Sequence, residues 1–357
     1  MAKNSFPLVV KSIEKTTEDC VIISFEIKKE NQKTFAYQQG QYLTLIANIN
    51  GEEVRRSYSL CSSPLDNEWK VGIKKVEEGK FSTYANEVLK VGDILEVMPP
   101  NGKFFVEINK EKQKNYAVFA AGSGITPIFS IIKTHLLAEP NSTFKLFYIN
   151  QTVKSIILKE ELEALKNLFM GRLEIFYFLT KEFRNVPLLK GRLDREKLDI
   201  IFKSICQTEN IDDYFVCGPE AMIFLVRDFL LEKNVDKKTI HFELFNTTGA
   251  APAAKKKVAQ QFKGKVADIT ILEGGKSMNF KMEQGSNNIL DAAMNNSADL
   301  PYACKGGVCC TCRAKLVEGD VNVLVNYGLE EEEIEQGYIL TCQSVPISNK
   351  VIVDFDS

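Results

Sequence analysis

Four cysteines constrain this chain more than anything else in it. They stand as Cys304-Lys-Gly-Gly-Val-Cys309-Cys310-Thr-Cys312 and, farther on, Cys342, which makes a C-x4-C-x2-C…C pattern. This is the plant-type spacing for four thiolates around a [2Fe–2S] cluster. Three sulfurs must point inward from one short loop, so the loop has to wrap tightly. Gly306 and Gly307 permit close backbone approach and positive φ, which would turn amide N–H groups toward sulfur. Zinc sites more often use two C-x2-C-like pairs, and disulfide frameworks belong to small secreted domains. Rieske ligation needs two histidines near the cluster, and the only two, His135 and His241, lie far from the motif. Cys310 sits inside the loop but Cys309 already fills the spacing, so Cys304, Cys309, Cys312 and Cys342 are the expected metal ligands.

A one-electron centre needs a source of electrons, and the 357 residues leave room for two or three domains. A net charge of -2 gives no basic footprint for nucleic acid. No apolar run is long enough to span a bilayer. The opening Met-Ala-Lys-Asn-Ser-Phe-Pro has no signal-peptide core. A reducing, cytoplasmic setting with no membrane partner is expected. The remaining Cys20, Cys61, Cys206 and Cys217 lie in apolar segments and read as buried thiols.

Residues 1–110 read as a small antiparallel β-barrel. Leu8-Val-Val-Lys-Ser-Ile, Val21-Ile-Ile-Ser-Phe-Glu-Ile and Tyr42-Leu-Thr-Leu-Ile-Ala are short strand-like runs, parted by turns such as Asn50-Gly51 and Gly92-Asp93. Within them lies Arg56-Ser57-Tyr58-Ser59. A tyrosine ring can stack on an isoalloxazine, an arginine fork suits pyrophosphate, and a serine hydroxyl can reach a flavin heteroatom. Strand alternation points Arg56 and Tyr58 one way, Ser57 and Ser59 the other. A strand through Lys74 follows, and Gly79-Lys-Phe81-Ser82-Thr83 then opens a helix whose free N–H groups suit phosphate.

Residues 111–246 alternate β and α, which predicts a parallel sheet covered on both faces. Strands are expected at Tyr116–Ala121, Phe144–Ile149, Leu173–Leu179 and Tyr214–Cys217, with helices near Ile128–Leu137, 158–168 and 195–203. Two glycine turns, Gly122-Ser123-Gly124-Ile125-Thr126-Pro127 and Cys217-Gly218-Pro219, fall at carboxyl ends of strands, where such sheets bind ligands. Residues 247–261, small and Lys-rich, read as a linker with an r.m.s. reach of roughly 20–25 Å. Residues 262–357 pair two strands about Glu273-Gly274-Gly275-Lys276, add a helix from Asn288, and surround the cysteine loop with further strands.

The order Arg-x-Tyr-Ser (56–59), Gly-x-x-Ser (79–82), Gly-x-Gly-Ile-Thr-Pro (122–127) and Cys-Gly-Pro (217–219), ending on Leu340-Thr-Cys342-Gln, resembles the ferredoxin–NADP⁺ reductase superfamily with a C-terminal plant-type ferredoxin domain of β-grasp fold. The resemblance covers essentially the whole chain. It implies that Arg56, Ser57, Tyr58, Ser59, Lys74, Gly79, Phe81, Ser82 and Thr83 hold FAD. It assigns NADPH or NADH to Gly122, Gly124, Ile125, Thr126, Cys217, Gly218 and Pro219, and places Phe245 near the flavin. Ser59, Cys217 and Glu243 are the implied catalytic residues. The implied activity is NAD(P)H oxidation with electrons passed through FAD and the cluster to an oxygenase or another iron protein. A fatty-acyl desaturase and a ring hydroxylase are alternative acceptors, and a redox sensor without turnover is the rival of a different class. Many such relatives carry Gly-Asn-Arg after the second strand of the nucleotide domain, where the Arg can hold a 2′-phosphate. This chain has Ile149-Asn150-Gln151, with Lys154 as the nearby candidate, so the coenzyme preference stays open.

Overall fold

The computed structural model describes residues 5–245, 260–262 and 264–357. The expected linker, 247–261, lies outside them except for Gln260 and Gln261. The described chain forms two compact units, one of Phe6–Leu244 and one of Phe245–Ser357 joined by Ser5.

The first unit begins with six antiparallel strands, β1 (Phe6–Thr17), β2 (Cys20–Glu26), β3 (Tyr42–Ile49), β4 (Glu52–Ser59), β5 (Trp69–Lys74) and β6 (Ile94–Asn101). They run in the order β4-β3-β6-β1-β2-β5, and a bridge between Leu60 and Val71 ties the two edges together. Asn50 and Gly51 both take positive φ, 54° and 82°, so the β3–β4 turn has the left-handed geometry that matches strand twist. The inward side chains Leu8, Val10, Ile23, Leu43, Leu45 and Val97 form the barrel core. Helix α1 (Lys80–Glu87) adds Phe81 and Ala85 to it.

A five-stranded parallel sheet follows in the same unit. In chain order it comprises β7 (Asn115–Ala121), α2 (Ile125–Ala138), β8 (Thr143–Asn150), α3 (Lys159–Leu168), β9 (Leu173–Leu179), α4 (Arg195–Ser204), β10 (Asp213–Cys217), α5 (Glu220–Glu232) and β11 (Ile240–Glu243). The strand order β11-β10-β7-β8-β9 reverses at β7. A crevice therefore opens between the carboxyl ends of β7 and β10, where parallel sheets bind ligands. Helix α2 starts at Ile125 rather than near Ile128, because Gly122–Gly124 is a single 3-10 turn that runs straight into it. Helix α5 follows Pro219 although no helix is expected there, because its apolar run Met-Ile-Phe-Leu-Val is equally readable as a strand.

The second unit contains β12 (Val266–Glu273), β13 (Lys276–Glu283), α6 (Ile289–Asn295), β14 (Arg313–Glu318), β15 (Val321–Val323), α7 (Glu331–Glu335), β16 (Tyr338–Leu340), β17 (Ser344–Pro346) and β18 (Lys350–Asp354). Its main sheet, β13-β12-β18-β14-β16, has β12 and β18 parallel at its centre. Gly274 and Gly275, at φ 60° and 69°, make the β12–β13 turn. Asn288 caps α6 by accepting the Asp291 N–H at 2.8 Å, and Ile289, Leu290 and Ala293 pack on Ile269, Ile271, Val351 and Val353.

Candidate redox site

β4 carries the flavin motif along the barrel edge. Tyr58 is half-buried, its ring 5.6 Å from that of Phe81, and burial pushes its phenol up. Arg56 is exposed, with Nη1 donating to the Arg55 carbonyl at 2.7 Å, which leaves the fork at the surface where a pyrophosphate would lie. Ser57 Oγ is 3.2 Å from Thr44 Oγ1, and Lys74, at the end of β5, pairs with Asp19 at 3.4 Å. Gly79 is the residue before α1, and a Cβ there would fall 2.3 Å from Ser82 Oγ. The Ser82 hydroxyl is already engaged, accepting from the Val76 N–H at 3.2 Å and donating to the Gly79 carbonyl at 3.3 Å. The donors left without side-chain competition at this end are the first backbone N–H groups of α1. Phe81 lies in the core, its ring packed against that of Tyr58. Thr83 is half-buried on the first turn.

The two glycine turns interlock across the crevice. A Cβ on Gly124 would stand 2.2 Å from the Cys217 carbonyl oxygen and 2.9 Å from the Gly218 nitrogen. A Cβ on Gly218 would stand 3.0 Å from that of Ala121. Gly122 takes φ 53° and its carbonyl accepts from the Tyr148 hydroxyl at 3.0 Å. Ile125 and Thr126 are buried; Thr126 Oγ1 donates to the Ser123 carbonyl at 3.0 Å, and its methyl fills the space over Gly72 of the barrel. Pro219 precedes the first turn of α5. Replacing Gly124 with Ala is expected to cost about 1–3 kcal/mol through overpacking, read as a lower melting temperature, and to weaken NAD(P)H binding in a coenzyme titration.

The implied catalytic residues meet at this crevice. Ser59 Oγ donates to Glu243 Oε2 at 3.1 Å, joining the barrel to the last strand of the nucleotide sheet across 184 residues of sequence. Cys217 faces Glu243 in register on the neighbouring strand. Glu243 is half-buried, its carboxyl held against the Ser59 hydroxyl. Burial pushes that carboxyl up to about 8, against the Ser59 hydrogen bond, which lowers it. Burial, with the Glu243 charge, pushes the Cys217 thiol well up as well, so it is a neutral small side chain and not a nucleophile. Phe245, two residues beyond Glu243, is half-buried.

Four of the five thiols of the second unit fall into two pairs. Cys304 Sγ and Cys309 Sγ are 3.1 Å apart, and Cys312 is hydrogen-bonded through its side chain to Cys342. The Cys309 hydrogen bond pulls the Cys304 thiol down against the effect of burial, helped by the N–H groups of Gly306, Val308 and Cys309. The loop's positive φ values belong to Lys305 (52°) and Gly307 (75°), not to Gly306, which instead turns its N–H to Cys304 Sγ at 3.3 Å. A Cβ on Gly307 would meet the Val325 carbonyl at 2.7 Å. Gln343 Nε2 holds the Lys305 carbonyl at 2.8 Å and Thr341 Oγ1 that of Cys312 at 2.9 Å. Cys310 turns aside, its Sγ donating to the Gly328 carbonyl at 2.6 Å. Two thiol pairs, three of their four sulfurs on one loop lined by N–H donors, are a donor set that would suit a cluster with two irons.

Fold and site together define a reductase with flavin, nicotinamide and iron–sulfur parts. Residues 7–106 match the oxidoreductase FAD-binding domain family, 118–228 the oxidoreductase NAD-binding domain family, and 271–346 the 2Fe-2S iron-sulfur cluster binding domain family. The chain is 41% identical over 350 residues to a subunit of the 1,2-phenylacetyl-CoA epoxidase of Escherichia coli (strain K12), covering 98% of this chain and 97% of that one. It is 30% identical over 353 residues to the ferredoxin reductase component of 3-ketosteroid-9-alpha-monooxygenase of Rhodococcus rhodochrous, covering 98% and 96%. Phthalate dioxygenase reductase shares the fold, with a TM-score of 0.61 at 22% identity over 98% of both chains. The chain belongs to the three-domain flavin and iron–sulfur reductases of the ferredoxin–NADP⁺ reductase superfamily, and its cofactors are FAD, NAD(P)H and a [2Fe–2S] cluster. Among the described residues no helix is long and apolar enough to cross a membrane.

Proposed function

We propose that this protein supplies electrons from NAD(P)H to a di-iron oxygenase of the phenylacetyl-CoA epoxidase type. The observation that carries the reading is the full-length 41% identity to a subunit of such an epoxidase. The local geometry supports it. FAD, when bound, exchanges the two electrons of a hydride for single electrons that the cluster can accept. Arg56, Ser57, Tyr58 and the Gly79–Thr83 helix start would hold it, while Gly122–Thr126 and Cys217–Pro219 would hold the dinucleotide. Ser59 and Glu243 lie together at the crevice, 3.1 Å apart. Glu243, neutral at pH 7 with its carboxyl at about 8, holds a proton there. Cys304, Cys309, Cys312 and Cys342 would hold the cluster. Thiolate ligation of this kind belongs to a reducing cytoplasm, which is the location the reading assumes.

The test is reconstitution. The purified reductase is mixed with phenylacetyl-CoA, NADPH or NADH, and the oxygenase subunits of such an epoxidase. Coenzyme oxidation that depends on the oxygenase, with epoxide formed, supports the proposal. Rapid cytochrome c reduction with no oxygenase-dependent turnover assigns the acceptor to another class.

A further inference from the structure

One of the places where the nucleotide sheet meets the barrel is α2, and buried hydroxyls make part of that contact. Ser130 and Thr134, one helical turn apart, are both fully buried. Ser130 Oγ donates to the Ser62 carbonyl at 2.6 Å, and Thr134 Oγ1 lies 2.8 Å from Ser63 Oγ. The Thr134 hydroxyl is the donor toward Ser63 Oγ and is shared with the Ser130 carbonyl at 2.6 Å. Outside this pair, Lys133 Nζ reaches Asp66 at 2.6 Å.

The barrel side is held as firmly. Ser62 Oγ accepts from the Lys70 N–H at 3.1 Å, donates to the Glu68 carbonyl at 2.8 Å and stands 2.8 Å from the Tyr37 hydroxyl. A buried network with its hydroxyls satisfied is rigid and admits one arrangement of the parts it joins. Its position in the chain gives it a use. Ser62 is three residues beyond Ser59, and Ser130 is four beyond Thr126. The segment that carries the flavin motif and the segment that carries the first nucleotide turn are thus pinned to each other immediately beyond their cofactor-facing residues.

We propose that Ser130 and Thr134 are positioning residues that, through Ser62 and Ser63, set the gap between the nicotinamide end of the nucleotide site and the flavin face beside Ser59. The proposal rests on the reading that hydride arrives at that face. Hydride transfer is steeply sensitive to this gap, since a misplacement near 1 Å can cost about 10²-fold. Thr126 packing over Gly72 is a second contact of the same joint, but an apolar one that tolerates sliding.

The experiment uses the full chain loaded with FAD and cluster, unaltered and as Ser130→Ala/Thr134→Val. The expected variant keeps its flavin content, cluster absorbance and NADPH dissociation constant. It loses the long-wavelength charge-transfer absorbance that marks nicotinamide stacked on flavin, and its limiting rate of flavin reduction falls about tenfold or more. Ser130→Thr/Thr134→Ser, which keeps both hydroxyls, restores the band and the rate. Hydrogen–deuterium exchange adds an arm independent of turnover: the amides of Gly122–Thr126 and Leu60–Ser63 exchange faster in the Ala/Val variant. An unchanged band and rate, unchanged exchange, or a loss that the hydroxyl-keeping variant does not recover would overturn the proposal. If NADPH and NADH both fail to reduce the flavin of the unaltered protein, the proposed function falls, and the exchange arm still decides the joint.

Discussion

Cys342→Ser is expected to abolish the cluster's visible absorbance and the reduction of cytochrome c, while leaving flavin-dependent reduction of ferricyanide by NADPH largely intact. The reason is the partition of the molecule. Cys342 is buried in the second unit, against Cys312 and the core of that sheet. The first unit, Phe6–Leu244, has its own barrel core and its own parallel sheet. Changes to groups that merely orient a metal ligand cost about 10–100-fold in affinity, so removal of a ligand should cost more. Cys310 is no substitute, since its thiol is turned to the Gly328 carbonyl. The matched control, Cys310→Ser, should retain the cluster. Loss of both activities in Cys342→Ser would mean that the two units do not function separately.

The second large effect concerns Glu243. Its carboxyl is pushed to about 8 by burial, so at neutral pH it is an uncharged acid beside Ser59. Negative charge arriving next to Ser59 is opposed by a carboxylate there and not by a neutral acid. The rate of flavin reduction by NADPH is therefore expected to fall as pH rises through about 8. Glu243→Gln, permanently neutral, should flatten that profile. Glu243→Ala should slow the step by about 10²-fold, within the range for loss of a positioned acid. Stability follows the same proton with a definite sign. Between about 4.5 and 8 the folded protein keeps a proton that the unfolded chain has released, so this group makes stability fall as pH rises across that window. Glu243→Gln should remove that part of the slope in denaturant titrations. A flat rate profile in the unaltered protein would place the controlling proton elsewhere.

The parts of this structure that are legible in the sequence are those specified by local chemistry. The spacing of Cys304, Cys309 and Cys312 is a property of one loop, and the Asn50-Gly51 and Gly274-Gly275 turns announce themselves by residues that accept positive φ. The β–α alternation from Asn115 onward is likewise a local period. What the sequence hides is made by contacts between distant segments. Nothing near Ser130 or Thr134 marks them as partners of Ser62 and Ser63, because a buried serine on an apolar helix has no periodic signature. Tyr148 reads as one more aromatic in a core strand, yet its hydroxyl holds the Gly122 carbonyl. Ser82 reads as free to bind phosphate, but the turn just before its helix already claims its hydroxyl. Gly306 serves Cys304 by donating an N–H, and the strained backbone is at Lys305, one residue earlier.

The central claim is an order: nicotinamide to flavin on the first unit, then to the four thiolates of the second. Rapid anaerobic mixing of the loaded protein with NADPH, followed at flavin and cluster wavelengths, tests it most directly. The account predicts that flavin absorbance falls first and that cluster absorbance follows in a distinct slower phase. Simultaneous bleaching, or bleaching of the cluster before the flavin, would contradict it.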